Sequence, residues 1–588
     1  RDPALLEYIG RGAIQASVFP IPPGEERHIT IEYREVLAAE NGLVRYTYPL
    51  ATDRFSTAPL EEASIHVDVE SADPIRAVYS PTHKVAVDRE DDHRFSAGWE
   101  ASAVRPDGDF ALIYTISDQM IGANLLSYMD PESEEGTFLL LAAPGIEIDQ
   151  PAIAKDVIVV LDTSGSMEGD KIEQAQDAVE FILDNLNHDD RFTVVEFSTG
   201  IRLYDNELRP ASDAEDAIDW VQDMEATGGT DINGALLEAM QIVDPERPSY
   251  MIFLTDGLPT EGETESDVIL ANIREAAPDN VRLFAFGVGY DVDTVLLDTL
   301  VQDHHGSSAY VVPGERIDET VSAFYARVST PLLTDVELEI DGVATEEIYP
   351  RPLPDIFAGS QLIVTGRYDE GGPATVRLTG EVDGERQTFT YEGVELRERG
   401  GDDGLPRLWA TRKIGYLLTE IRLHGEDPEL VDAIVDLSIR YGIVTPYTSY
   451  LITEDDILSD SGRERAAEDV AAAAAPIESG EAAVDQSQGA ASMADAEAPL
   501  PTPTMGAAGG AEGNPIQIVG SRAFIQQDGV WIETTFNPDT METEKVAFAS
   551  DDYFALLARY PDLAGPFALG DRVIAISHGT AYEVTAEE

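Results

Sequence analysis

The chain has 588 residues, 43% of them hydrophobic, and 38 basic against 112 acidic side chains, a net charge of −74. That length exceeds one hydrophobic core and predicts about three to five domains. The charge excludes a nucleic-acid surface, because no basic stripe is present to meet phosphates. The lack of cysteine excludes disulfides, thiolate metal sites and cysteine nucleophiles. No apolar run is long enough to span a membrane.

Arginine supplies nearly all the positive charge, since Lys84, Lys155, Lys171, Lys413 and Lys545 are the only lysines. Such a surface repels itself at low ionic strength, and salt shortens the repulsion to about 8 Å at physiological strength. It fits a soluble protein of an acidic proteome or a saline or calcium-rich habitat. The sequence begins at Arg1 with no signal peptide in view, so a removed or omitted upstream segment is expected.

Residues 1–150 read as β-rich. His28–Tyr33 and Ser64–Val69 alternate with period two, and turn residues such as Pro20, Pro22, Pro23 and Gly24 punctuate them. From Asp156 the pattern changes. Val157–Leu161 is a continuous apolar run, as in a strand buried on both faces. A helical stripe follows at Ile172, Ala175, Val179, Ile182, Leu183 and Leu186. Further apolar runs at 192–197, 251–254 and 283–286 alternate with helical patterns, which predicts a doubly wound parallel sheet over 151–330.

Alternation with period two returns after 330, as at Val336–Ile340, giving a β-rich domain over 331–402. Leu408, Ile414, Leu417, Leu418 and Ile421 predict a helical segment within 403–462, ending in a return strand. Residues 463–515, rich in Ala, Gly, Pro and Glu, predict a disordered linker. Trp531, Phe536, Tyr553, Phe554 and Val573–Ile576 predict a small separate α+β module over 516–588. The expected fold class is therefore multidomain: a doubly wound α/β domain between β-rich domains, with a small C-terminal α+β module.

The chemistry gathers in the α/β domain. Asp162-Thr163-Ser164-Gly165-Ser166 follows its first buried strand, Thr255-Asp256-Gly257 follows another, and Gly228-Gly229-Thr230-Asp231 opens a helix. Ligands of such sheets bind beyond the carboxyl ends of the strands. Asp162, Ser164, Ser166, Thr230 and Asp256 offer hard oxygen donors, suited to Mg²⁺, Mn²⁺ or Ca²⁺ rather than zinc. Asp231 reads equally as a group behind the ligands or as a helix N-terminal residue. Two carboxylates neutralise one divalent ion, which can still accept an anionic oxygen from outside.

These three segments, in this order, resemble the metal ion-dependent adhesion site of von Willebrand factor A-type domains. The resemblance implies that Ser164 and Ser166 bind a metal directly, Mg²⁺ foremost. Asp162, Thr230 and Asp256 would bind directly or through water, and a partner's Glu or Asp would complete the shell. Residues 10–36 resemble the second half of a vault protein/inter-α-trypsin (VIT) domain. Tyr441–Leu451 resembles the segment that follows the A domain in those proteins. The whole is similar to inter-α-trypsin inhibitor heavy chains and their bacterial relatives. The missing first half of the VIT-type domain implies that the native chain begins upstream. The C-terminal sequence at which vertebrate heavy chains join glycosaminoglycan is absent, and no hyaluronan chemistry is carried over.

The expected function is non-enzymatic: a secreted or cell-surface adhesion protein that binds an acidic residue of a protein partner through a divalent ion. Two rivals are a cytoplasmic assembly factor working beside an ATPase and a metal-dependent hydrolase, for which no general base is identifiable. His304-His305 lacks a third ligand for zinc, and Ser164-Gly165-Ser166 is no nucleophile elbow. Glu90-Asp91-Asp92 reads as a solvated loop, and Tyr553 with Phe554 as a small core rather than a binding platform.

Overall fold

The computed structural model describes residues 5–10, 13–17, 37, 39–40, 42–50, 60–104, 109–117, 119–131, 135–145, 153–382, 384–443, 457–498 and 516–586. Two units are distinguished, Arg1–Ala39 and Glu40–Glu588. In the first, Leu5–Gly10 and Ala13–Ser17 form an antiparallel hairpin. The strand expected at 28–33, most of the VIT-like stretch and residues 444–451 of the Tyr441 segment lie outside the described residues.

The central domain of the second unit runs β1 (Asp156–Asp162), α1 (Asp170–Asp184), β2 (Arg191–Phe197), β3 (Ile201–Leu203), β4 (Arg209–Pro210), α2 (Ala214–Gln222), α3 (Ile232–Ile242), β5 (Ser249–Thr255), α4 (Ser266–Ala276), β6 (Val281–Val288), α5 (Thr294–Asp303), β7 (Ser308–Val311) and α6 (Ile317–Val328). The sheet order is β3-β2-β1-β5-β6-β7, with β4 also on β2. All neighbours are parallel except β3 and β4, which pair antiparallel with β2.

The uninterrupted apolar run of β1 has a direct cause. Val157, Val159 and Leu161 pack into one core with α1, α2 and α6, while Ile158 and Val160 pack into another with α3, α4 and α5. A strand covered by helices on both faces has no side for water, so no polar alternation survives. This is the predicted doubly wound sheet. From β1 the chain moves outward to β2 and β3, then returns to β5 on the other side of β1. The order reverses between β1 and β5, and sheets of this kind place their ligand crevice beyond the carboxyl ends at that point.

The flanking β regions share a sheet. Strands Gly136–Pro144 and Leu362–Tyr368 pair antiparallel, from Gly136↔Tyr368 to Ala142↔Leu362, so the central domain is inserted between two adjacent strands. A second sheet is formed by Ile356–Phe357, Pro331–Asp341, Gly372–Val382 and Glu385–Leu396. Near the C-terminus six short strands between Ile516 and Thr585 form a sheet around Phe524, Tyr553, Phe567 and Val573.

Four helices lie between the second β region and the C-terminal sheet: α7 (Leu405–His424), α8 (Pro428–Tyr441), α9 (Asp460–Ala474) and α10 (Glu481–Ala494). The last two correct the expectation of a disordered linker from 463. Ser459 caps α9, accepting from Gly462 N at 3.1 Å. Ala466, Val470, Ala490 and Met493 then pack with α7 and α8, while Val484 enters the core of the central domain. Alanine, the best helix former, made the stretch look featureless, yet its small side chain lets helices approach closely. A Cβ on Gly415 of α7 would lie 2.2 Å from Ala494 N. Residues 499–515 lie outside the described residues.

Two smaller readings also change. Asp92 is not solvated: its carboxylate is buried and takes Arg76 Nη1 at 2.8 Å. Tyr553 is core, but Phe554 is 58% exposed, since consecutive residues of a helix point in different directions.

Candidate metal centre

β1 presents Asp162 as its last residue, and β5 presents Asp256 immediately after its last residue, Thr255. These are the two strands between which the sheet order reverses. Both aspartates are buried. Asp162 Oδ1 accepts the Ser164 N–H at 2.8 Å, and Oδ2 accepts the Thr255 hydroxyl at 2.6 Å. Ser164 Oγ lies 3.0 Å from Ser166 Oγ, which donates to Asp256 Oδ1 at 2.6 Å. Thr230 enters from the turn before α3. A Cβ placed on Gly257 would lie 3.5 Å from Thr230 Oγ1 and 3.9 Å from Ser166 Oγ. All five side chains singled out in the sequence thus come together.

Backbone hydrogen bonds sew these loops to one another. Gly165 N donates to Gly228 O at 3.0 Å, and Thr227 N to Thr163 O at 2.7 Å. Thr230 N donates to Thr260 Oγ1 at 2.9 Å, while Thr230 O accepts from Thr260 N at 3.0 Å. Gly228 takes a left-handed φ of +90°, and a Cβ there would also meet Thr199 Oγ1 at 2.8 Å. Any larger residue would be strained twice over. Asp231 caps α3, its Oδ1 accepting from Gly234 N at 2.9 Å, so it takes the helix N-terminal role.

The electrostatics are unbalanced. Burial pushes the Asp162 carboxyl up to about 6, and the charge of Asp256 adds to the rise, against hydrogen bonds from Thr255 and Ser164. The cation in contact with the pair is Lys171, whose Nζ lies 2.6 Å from Asp256 Oδ2 and whose side chain is 40% exposed. A lysine in the first turn of a helix runs against the macrodipole, and Asp256 accounts for it. A third buried carboxylate, Glu196, accepts from Thr163 Oγ1 at 3.3 Å but is already paired with Arg202.

Sequence reasoning missed Lys171, Thr255 and Glu196. The signal for Lys171 was available: it is one of five lysines, and it stands five residues past the Asp-Thr-Ser-Gly-Ser segment. Thr255 and Glu196 carried no signal beyond their strand-end positions.

The donor set fits a hard divalent cation: two carboxylates and three hydroxyls, whose hydrogens can rotate away to present lone pairs. Among the described residues no group of three or more His, Asp or Glu side chains gathers to hold a metal. The hydroxyls are therefore integral to the set.

The central domain matches a known family. The profile of the von Willebrand factor type A domain matches residues 156–322. The central domain is a von Willebrand factor type A domain. Homology extends beyond it. The chain is 32% identical over 373 residues to inter-alpha-trypsin inhibitor heavy chain H4 of Homo sapiens, covering 60% of this chain and 39% of that protein. It is 30% identical over 376 residues to heavy chain H2 of Homo sapiens, covering 59% and 38%. The chain thus spans 38–39% of the length of these curated relatives. Among solved structures, the von Willebrand factor type A protein from Catenulispora acidiphila aligns with a TM-score of 0.39 and 17% identity, over 54% of this chain and 86% of that one. No helix among the described residues is long and apolar enough to cross a membrane.

Proposed function

We propose that the A domain is a metal-dependent recognition module. Asp162, Ser164, Ser166, Thr230 and Asp256 would hold one divalent ion, Mg²⁺ foremost, and a Glu or Asp of a protein partner would complete its shell. The observation that carries this reading is the pair of buried carboxylates at the switch point of the sheet, ringed by three hydroxyls and met by a single half-exposed lysine. Two carboxylates balance one divalent ion and Lys171 adds a positive charge beside them, so an incoming anion would meet an attractive centre with Lewis acidity still to offer. The ion supplies the bond to the partner, and this chain's residues set where that bond points.

The role is adhesion or recognition without catalysis, and the working place is the cell surface or the medium. A signal peptide in the complete gene would agree with that location; a cytoplasmic start beside an ATPase gene would contradict it. The central test is capture of partner proteins on the immobilised chain, with Mg²⁺ and then with EDTA, beside an Asp256→Ala variant whose fold is checked by circular dichroism. Partner binding that persists in EDTA and in the variant would overturn the reading.

A further inference from the structure

The loops around the candidate centre are 163–170, 198–200, 227–231, 257–265 and 289–292. They contain no Lys, Arg or His. They do contain Glu168, Asp170, Glu261 and Glu265, all exposed, and the half-buried Glu263. Glu261 is tied to the site itself: its N–H donates to Thr230 O at 3.2 Å, and its side chain lies over Gly229, where a Cβ would meet Glu261 Cγ at 2.5 Å. Lys171, just past the first loop, is held by Asp256. One large apolar side chain, Leu258, stands 41% exposed two residues beyond Asp256.

This rim conflicts with a generally acidic partner. With two aspartates, Lys171 and a divalent ion, a bound carboxylate brings the centre to neutrality and leaves the exposed rim carboxylates without counter-charge. Those carboxylates repel an acidic partner over a Debye length, about 8–10 Å near physiological salt. The conflict disappears if the carboxylate arrives in a basic setting, because complementary rim charge favours encounter and fixes register.

We infer that the partner presents its metal-binding Asp or Glu as an isolated acid within a lysine- or arginine-rich segment, next to an apolar side chain that meets Leu258. This rests on the metal-dependent reading above and narrows it to one class of ligand. Glu168 and Glu261 would face the flanking bases, and the ion would take the central carboxylate.

Fluorescence anisotropy of the full chain in Mg²⁺ tests this with short labelled peptides sharing a central Leu-Asp. One is flanked by Lys and Arg, one by Gly and Ser, one by Glu, and a fourth is the basic peptide with Asp replaced by Asn. The basic Asp peptide should bind tightest, about fivefold or more over the neutral one at low salt, given the modest strength of each exposed pair. That advantage should shrink as salt rises, vanish with EDTA and be lost in the Asn peptide. In a Glu168→Lys, Glu261→Lys double variant the preference should move to the acidic peptide, and Leu258→Ser should weaken binding of every Leu-Asp peptide. Equal or tighter binding of the neutral or acidic peptide to the unaltered chain would overturn the inference, as would a basic preference that the double variant leaves intact. If no peptide binds while calorimetry detects Mg²⁺ on the chain, the rim inference falls and the metal reading stands. If the Asn peptide binds as well as the Asp one, with and without EDTA, both fall together.

Discussion

The two ends of β1 treat the same residue type in opposite ways. At its start, Asp156 is buried and met by Arg191 at 2.7 Å and Arg247 at 3.2 Å. Beside it Lys155, wholly buried, holds the buried Asp190 at 2.6 Å. At its finish, Asp162 is equally buried and receives only neutral donors, the Thr255 hydroxyl and the Ser164 N–H. A chain with 38 basic residues against 112 acidic ones spends several of the former on one edge of this sheet. At the other edge it leaves two aspartates with one partly exposed lysine. The first edge is balanced by the protein itself; at the second, the proposed divalent ion would complete the balance. On that reading burial alone does not mark a functional carboxylate; the missing counter-charge does.

The contrast can be broken first at the self-sufficient edge. Lys155→Met should strand Asp190 and cost about 3–5 kcal/mol of stability, as breaking a buried pair does. Urea unfolding checks it, and added Mg²⁺ should not restore the loss. At the metal edge, Asp162→Ala should leave the metal-free fold standing but abolish its stabilisation by Mg²⁺. For the unaltered chain that stabilisation is about 2.7 kcal/mol at a hundredfold excess over Kd. Thermal unfolding with and without Mg²⁺ separates the two outcomes, and an unchanged Mg²⁺ response in the variant would refute the assignment.

Lys171→Met sharpens the comparison further. Removing the half-exposed ammonium should destabilise the metal-free chain by about 1 kcal/mol, since a carboxylate is left without its partner. Mg²⁺ should recover that loss, so the metal-induced rise in Tm should be larger than in the unaltered chain. The smallest effect is expected where both partners are exposed. Arg386→Ala, which breaks the surface pair with Glu337, should change stability by less than about 0.5 kcal/mol.

What the sequence revealed follows from how local each signal is. Val157–Leu161 announced a doubly covered strand because five adjacent residues carry the message. The candidate site residues were picked out because they cluster just past strand ends or just before a helix, in segments that resemble a known family's motif. Pairing between remote strands was not legible: nothing local in Gly136–Pro144 or Leu362–Tyr368 says that they adjoin across an inserted domain. The helices α9 and α10 were hidden because alanine signals helix weakly when a composition of Ala, Gly, Pro and Glu also describes a linker. Asp92 read as solvent-facing because its partner Arg76 lies on another strand.

The insertion itself has a mechanical consequence. Gly136–Pro144 leads toward the A domain and Leu362–Tyr368 lies beyond it, side by side in one ladder. Tension pulled through the chain from either side of the insert is carried across that ladder. It reaches the A domain only after the ladder peels apart. A load applied instead at the outer edge of the A domain, where a partner would grip, runs back into the same paired strands as a single anchor. The domain is mounted as a branch off the load path, so tension passing along the rest of the chain need not deform it.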